Sequence, residues 1–431
     1  MPVRPCREVK RMQLADVFEQ IQESDWQGEV ALHWDDSMAC MPDVLPFLEP
    51  DQIAENLDWG GLESSHQQAL EEAARQIAGT PELKALAWHA WRRLYESDDP
   101  VDFNHWPALD AAMNDTSGCF YLLLGLAMVP GTRAIHESLG IPSSVTRETC
   151  LQVACFADNF RRARHGRLGM FRGQLFWMRN YPQGRLFRLG RFEYRLQPLG
   201  PFVHVFRHRE QNLTVVLSAG GRLFDDAGYA VQIGTAGSWE ATFTLSGEAA
   251  RGFPVHPAGH VLRYEVTLPR SEWDHVVKPG DTMLDVHIPS GGQMTPQSCL
   301  DTMRRSVEFF RTYFPDKPFR SFWCHSWIFG PQLETILPET ANLVKYLREV
   351  YLYPVYSEDG GLWFIFFQDK FDLPTVPREN SLQRTVAQYL EKGGEWREGG
   401  MIALVDDLDQ FGSQIYRSRW PEVVSLLGLP A

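Results

Sequence analysis

Residues 284–310 read LDVHIPSGGQMTPQSCLDTMRRSVEFF, and the rest of the chain is read outward from them. A short apolar strand stops at Pro289, Gly291 and Gly292 follow, and a helix starts at Thr295 and Pro296. The threonine suits the N-cap and the proline the first helical position, where its missing N–H costs nothing. Two uses of such a unit stay open. The free N–H groups and positive dipole end of a helix N-terminus can hold a pyrophosphate, with glycines letting it approach the backbone. Equally, a Gly-rich turn can serve geometry alone.

Downstream the pattern is mixed α/β. TPQSCLDTMRRSVEFFRTYF reads as a helix, FRSFWCHSW as a strand and FGPQLETIL as a short helix. VKYLREVYLYPV and GLWFIFFQ read as a final strand pair separated by SEDGG, before a last helix, NSLQRTVAQYLEKGG. The first strand–helix–strand crossover is expected to be parallel and right-handed. Upstream, QLFWMRNY, RLFRLGRFEYRLQ, FVHVFRH, LTVVLS, EATFTL and HVLRYEVTLP are β-rich segments separated by Gly and Pro turns. Before residue 166 the spacing is helical: LADVFEQIQE, SSHQQALEEAARQIAG, PELKALAWHAWRRLYES with Thr80 and Pro81 at its start, and SSVTRETCLQVACFADNFRRARHG. GCFYLLLGLAMVPG, apolar all round, reads as a buried helix. The expectation is an α+β protein, with a helical domain over 1–165 and a mixed α/β domain over 166–431.

Composition narrows the partners. The 431 residues carry 41 Lys+Arg against 55 Asp+Glu, a formal net charge of -14, which disfavours nucleic acid or an anionic membrane. No run reaches the roughly 20 apolar residues of a membrane span. MPVRPCREVKRMQLADVFEQI has no apolar signal core. Cys6, Cys40, Cys119, Cys150, Cys155, Cys299 and Cys324 are odd in number and scattered, with no CxxC pair, as expected of free thiols in the cytoplasm rather than a metal site. His256 and His260 in HPAGH read as a turn. P-loop, nucleophile-elbow and zincin motifs are absent.

GRLFRLGRFEY (184–194), LDVHIPSGGQM (284–294), FFRTYFPDKPFRSFWCHSW (309–327), ILPETANLVKYLREVYLYPV (336–355) and FGSQIYR (411–417) together resemble a bacterial group of two-domain acyltransferases. These join a helical N-acyltransferase N-terminal domain to a C-terminal domain like the GCN5-related N-acetyltransferases (GNAT). The resemblance implies an acyl-CoA or acetyl-CoA co-substrate, no metal, and a small-molecule amine or peptide acceptor. It places the coenzyme pyrophosphate at Ser290, Gly291, Gly292, Gln293 and Met294, although SGGQM departs from the usual GNAT signature (Arg or Gln, two residues, Gly, one residue, Gly or Ala). The rival reading is a non-catalytic ligand-binding protein on the same fold.

Arg304 and Arg305, about three turns into the helix, are candidates for a nucleotide phosphate or part of a solvated face. Arginines recur densely between Arg161 and Arg195, either as a basic wall for an anionic cofactor or as a seat for the acidic helical domain; the seat is the preferred reading. His287 shares a strand face with Asp285 and is either the base that deprotonates an amine or a hydrogen-bonded core histidine. Cys324 and Ser326 face one way and His325 the other; if the strand splays from LDVHIP as the resemblance implies, Ser326 or Cys324 is placed to protonate the leaving thiolate or bind substrate, the preferred reading of Cys324 being a small buried residue. No tyrosine follows in FGPQLETIL to act as general acid, and Tyr346, Tyr351 and Tyr416 are distant candidates.

Overall fold

The structure, a computed structural model, describes residues 12–23, 28–356 and 361–430. The N-terminal stretch 1–11 and residues 357–360 of SEDGG, on which two of the expectations above fall, lie outside the described residues. The chain forms two compact units, Met1–Arg188 and Leu189–Ala431.

The first unit is helical. Its principal helices are α1 (Pro50–Trp59), α2 (Gln67–Gly79), α3 (Pro81–Tyr95), α4 (Ser117–Leu126), α5 (Met128–Ser138), α6 (Ser143–Cys150) and α7 (Gln152–Ala163). All ten residues of α4 are buried, as its uniform apolarity demands. Contrary to the sequence reading, the run Asp110–Ser138 is long and apolar enough for a membrane span by length and composition, yet 67% of its most apolar window is buried within the protein. Thr80 sits at the N-cap of α3 without a side-chain cap bond. Where one helix was expected before residue 166 there are two, α6 and α7, meeting at Leu151.

The helical unit also runs past residue 166. QLFWMRNY, expected to be extended, is a helical turn, Arg172–Leu175, followed by a 3-10 helix, Phe176–Asn180. Leu175, Met178 and Tyr181 recur at every third residue, the 3-10 period, and enter the helical core with Met170 and Leu186. Burial of that stripe overrides the β-propensity of the aromatic residues.

The second unit holds a six-stranded sheet of β1 (Phe187–Leu189), β2 (Phe192–Pro198), β3 (Thr282–His287), β4 (Ser321–Ser326), β5 (Tyr351–Val355) and β6 (Glu398–Leu404), in the order β1-β2-β3-β4-β6-β5. Only the β3–β4 neighbours are parallel among the pairs with assigned register; β2–β3, β4–β6 and β5–β6 are antiparallel. Helix α8 (Pro296–Tyr313) connects β3 to β4. Side chains alternate along the strands, giving the sheet two unlike faces. Tyr194, Leu284, Val286, Phe322 and Cys324 share one face, and Tyr194 Oη lies 3.2 Å from Thr302 Oγ1 on α8. Met283, Tyr351, Tyr353 and Ile402 share the other and bury against a five-stranded sheet in which Val203–His208 lies between Thr214–Ser218 and Trp273–Val277.

The expected final strand pair is different in the structure. GLWFIFFQ supplies a helical turn, Trp363–Phe366, whose Ile365 and Phe366 pack with Val386 and Ala387 of α9 (Ser381–Glu391). The partner of β5 is instead β6, EGGMIAL, whose two glycines make it a poor strand by propensity. They are there for space. A Cβ on Gly400 would stand 2.2 Å from Cζ of Tyr353, and one on Gly399 would stand 2.0 Å from the Phe329 carbonyl oxygen.

Gly400→Ala therefore forces the Tyr353 ring out of its place. Overpacking of this kind is expected to lower unfolding stability by about 1–3 kcal/mol in urea titrations. Wild-type stability in that variant would mean the ring can move aside freely.

Candidate active site

Strands β3 and β4 pair at only two positions, Leu284 with Phe322 and Asp285 with Trp323. Beyond these each strand keeps its outer partner: β3 stays paired with β2 through His287–Glu193, and β4 stays paired with β6 through Ser326–Gly399. Two arms of one sheet thus separate toward their C-terminal ends. Backbone groups on the inner edges of that opening lie outside the β3–β4 ladder and can address a bound carbonyl or amide.

His287 stands on one arm. Its Nε2 lies 2.9 Å from Asp285 Oδ2, and Arg195 Nε on β2 donates to the same oxygen at 2.7 Å. Asp285 is buried while His287 and Arg195 are half-buried. Burial by itself pushes the Asp285 carboxyl up; the His287 imidazole and the Arg195 guanidinium outweigh it and hold the group below its ordinary value. An ionised carboxylate only accepts, so Nε2 of His287 is the donor in this pair. Of the two readings of His287, the hydrogen bond to Asp285 is present, and the residue is half-buried on β3 beyond the last β3–β4 pair.

The other arm presents Trp323 and His325 on the same sheet face as Asp285 and His287, since Asp285 pairs with Trp323. Trp323 Nε1 donates to Tyr353 Oη at 2.5 Å, and Tyr353 Oη lies 2.6 Å from His325 Nε2. Phe202 packs edge-on against the His325 ring, centroids 4.3 Å apart. Burial lowers His325 to about 4 and raises the Tyr353 phenol well above its usual range, so both are neutral at pH 7 and the phenol donates to the imidazole.

Cys324 and Ser326 are not brought together with His287. Cys324 points to the α8 side, where burial holds its thiol well above the usual value. Ser326 Oγ accepts from the Ile328 N–H at 3.3 Å and caps the 3-10 turn Trp327–Phe329. Of the distant tyrosines, Tyr346 is buried with the α8-side core, Tyr351 donates to the Val255 carbonyl, and Tyr416 accepts from the Leu404 N–H. Tyr353, which sequence reasoning missed, is the one that reaches the site.

The glycine loop joins β3 to α8. Gly291 and Gly292 have φ of 81° and 70°, the left-handed region that a Cβ disfavours. The amides of Gly291, Gly292, Gln293 and Met294 find no acceptor among the described residues. Thr295 caps α8 as expected, accepting from the Ser298 N–H at 3.1 Å. Arg191, from the turn between β1 and β2, donates to the Pro289 carbonyl at 2.9 Å and lies along Gly292. Four consecutive amides without an acceptor, a helix N-terminus and a guanidinium are groups of the kind that bind anions. Ser290 begins the loop. Arg304 pairs instead with Asp409 at 3.0 Å, and Arg305 lies beside the Gly190 turn. Two arginines of the dense stretch, Arg191 and Arg195, thus stand in the site.

Acid titration tests this electrostatic reading. For His325 the folded value of about 4 lies below the unfolded value near 6.5, so stability held above pH 6.5 is lost as pH falls toward 4. Asp285, depressed in the fold, adds a further loss below its unfolded value of roughly 3.9. NMR titration is expected to place the His325 midpoint near 4; a midpoint near 6.5 would contradict the buried Tyr353 contact. Asp285→Asn is expected to cost about 1–3 kcal/mol at neutral pH by stranding Arg195.

Comparison with known proteins agrees with this architecture. Residues 51–184 match the N-acyltransferase N-terminal domain model and residues 186–402 the GNAT-like C-terminal domain model. No curated protein matches the chain. Among solved structures, an acyltransferase in complex with decanoyl-CoA and teicoplanin is similar at 20% identity, with a TM-score of 0.63 over 91% of this chain and 100% of that one. An acyltransferase mutant, W163A, in complex with octanoyl-CoA aligns with the same identity and TM-score over 91% of this chain and 99% of that one. The chain belongs to the family of acyltransferases that join an N-acyltransferase N-terminal domain to a GNAT-like C-terminal domain.

Proposed function

We propose that the protein transfers an acyl group from an acyl-CoA to an amine on a small-molecule or peptide acceptor. The observation that carries this reading is the parting of β3 and β4 beyond Asp285 and Trp323, with the His287–Asp285 pair on one lip and the free-amide loop following directly. The solved acyltransferases similar to this chain are in complex with decanoyl-CoA, octanoyl-CoA and, in one case, teicoplanin, which supports an acyl-CoA donor and an acceptor of that general kind.

In this reading the amides of Gly291, Gly292, Gln293 and Met294, with Arg191, hold the coenzyme pyrophosphate. Ser290 begins that loop, while Arg304 and Arg305 are set back along α8. The thioester carbonyl lies in the opening, where unpaired strand N–H groups face the oxygen that gains charge. The amine nitrogen forms the C–N bond as the C–S bond breaks. Its proton passes to His287, whose charged form Asp285 stabilises, and coenzyme A leaves as its thiolate. Arg195 keeps that carboxylate ionised and aimed. Cys324, protonated and facing α8, takes no part, and Ser326 holds the end of β4 in place.

Thermal-shift titration with coenzyme A, acetyl-CoA and octanoyl-CoA is expected to raise the melting temperature. Gly291→Val, which puts a β-branched side chain at positive φ in the seat, is expected to abolish that shift; no shift with any CoA species in the wild type would sink the proposal. His287→Gln is expected to reduce acyl transfer about 10²–10⁴-fold with CoA affinity unchanged, measured by thiol release. Undiminished turnover would remove His287 as the base.

A further inference from the structure

Arg222 follows the Gly220–Gly221 turn and lies against the sheet face that carries Trp323, His325 and Tyr353. Its guanidinium stacks over the Phe202 ring, 4.9 Å from the centroid, and more loosely over Phe224 at 6.0 Å. Phe202 in turn packs against His325. One hydrogen bond is made, from Nη2 to the Pro354 carbonyl at 3.1 Å. Among the described residues no carboxylate pairs with this arginine. Other arginines tucked into the same unit have one: Arg195 with Asp285, Arg207 with Asp407, Arg397 with Asp225 and Arg417 with Glu334.

The surroundings do not supply the missing charge. His325 and Tyr353, beside Arg222, are neutral, and burial lowers the guanidinium below its ordinary value without neutralising it. The two phenyl rings explain how the cation tolerates partial burial, but they use none of its in-plane N–H donors. A planar fork with donors to spare suits a bidentate carboxylate.

We propose that Arg222 binds a carboxylate of the acceptor, so that the acceptor class is an amino-acid-like or peptide-like amine with a free acid. This rests on the acyl-transfer reading and names the substrate of the same site. Pro354 lies on β5, two strands from β4 across β6, a distance of roughly 10 Å at ordinary strand spacing. Arg222 bonds to Pro354 and stacks on Phe202 and Phe224, not on His287 or Asp285, so it acts on acceptor binding rather than on the chemical step.

The test uses the full chain and calorimetric titration with glycine, diglycine and triglycine, each against its C-terminal amide, in the presence of coenzyme A. At least one acid is expected to bind the wild type tenfold or more tightly than its amide. Arg222→Met is expected to erase that difference and Arg222→Lys to keep part of it, with coenzyme A affinity the same in all three proteins. Equal behaviour of acid and amide in every pair, absence of binding included, overturns the proposal. So does a preference that survives Arg222→Met. A wild type that binds no coenzyme A but still prefers the acid through Arg222 would overturn the acyl-transfer reading and leave the carboxylate site standing.

Discussion

The site depends on a failure of pairing. A parallel pair of strands normally runs its ladder to the end, because every unpaired amide in the interior costs free energy. Here β3 and β4 abandon one another after Asp285 and Trp323, and the cost is contained because β2 and β6 keep the outer edge of each arm fully bonded. The opening is therefore rigid on both sides. Pro289, which cannot donate to a ladder, ends the β3 arm, and Ser326 ends the β4 arm by capping the next turn.

Asp285 links that geometry to reactivity. A buried carboxylate standing alone would be driven to protonate, and a neutral acid would no longer fix the His287 tautomer. Arg195, at the registered position on the neighbouring strand, supplies the charge that prevents this, so the fidelity of the β2–β3 register matters as much as the residues themselves. A slip of one residue would send Arg195 to the opposite face and leave Asp285 without its guanidinium partner.

How much of this is legible in the sequence depends on what kind of signal each part emits. The α+β fold class, the LDVHIP strand and the Thr295–Pro296 helix start are local patterns, and the structure has them. The unit division at Arg188 and the helical form of QLFWMRNY were hidden because tertiary burial of Leu175, Met178 and Tyr181 overrides aromatic β-propensity. Strand β6 was hidden because its glycines make room for neighbours distant in sequence, Gly400 for Tyr353 and Gly399 for the Phe329 carbonyl. The same cause hid Tyr353 and Arg222 from the site: both come from strands or turns that are distant in sequence and meet only once the sheet is assembled. Alternation along β4 correctly separated His325 from Cys324, but it cannot say which of two faces looks into the opening. The pairing of Asp285 with Trp323 supplies that answer.

The formal charge of -14 poses a last question, since coenzyme A and a carboxylate-bearing acceptor are both anions. At physiological ionic strength exposed charges more than about 8 Å apart are largely screened, so the net charge acts on approach and hardly on the bound state. What a bound anion meets is local: Arg191 beside the glycine loop, the dipole of α8, and Arg222 between two rings, each in surroundings less polarisable than water, where a charge interaction is several-fold stronger. Arg195, by contrast, is paired with Asp285. In the proposed reading the glycine loop with Arg191 and the ring-flanked Arg222 are two separate cationic positions, which suits a phosphate-bearing donor at one and an acidic acceptor at the other.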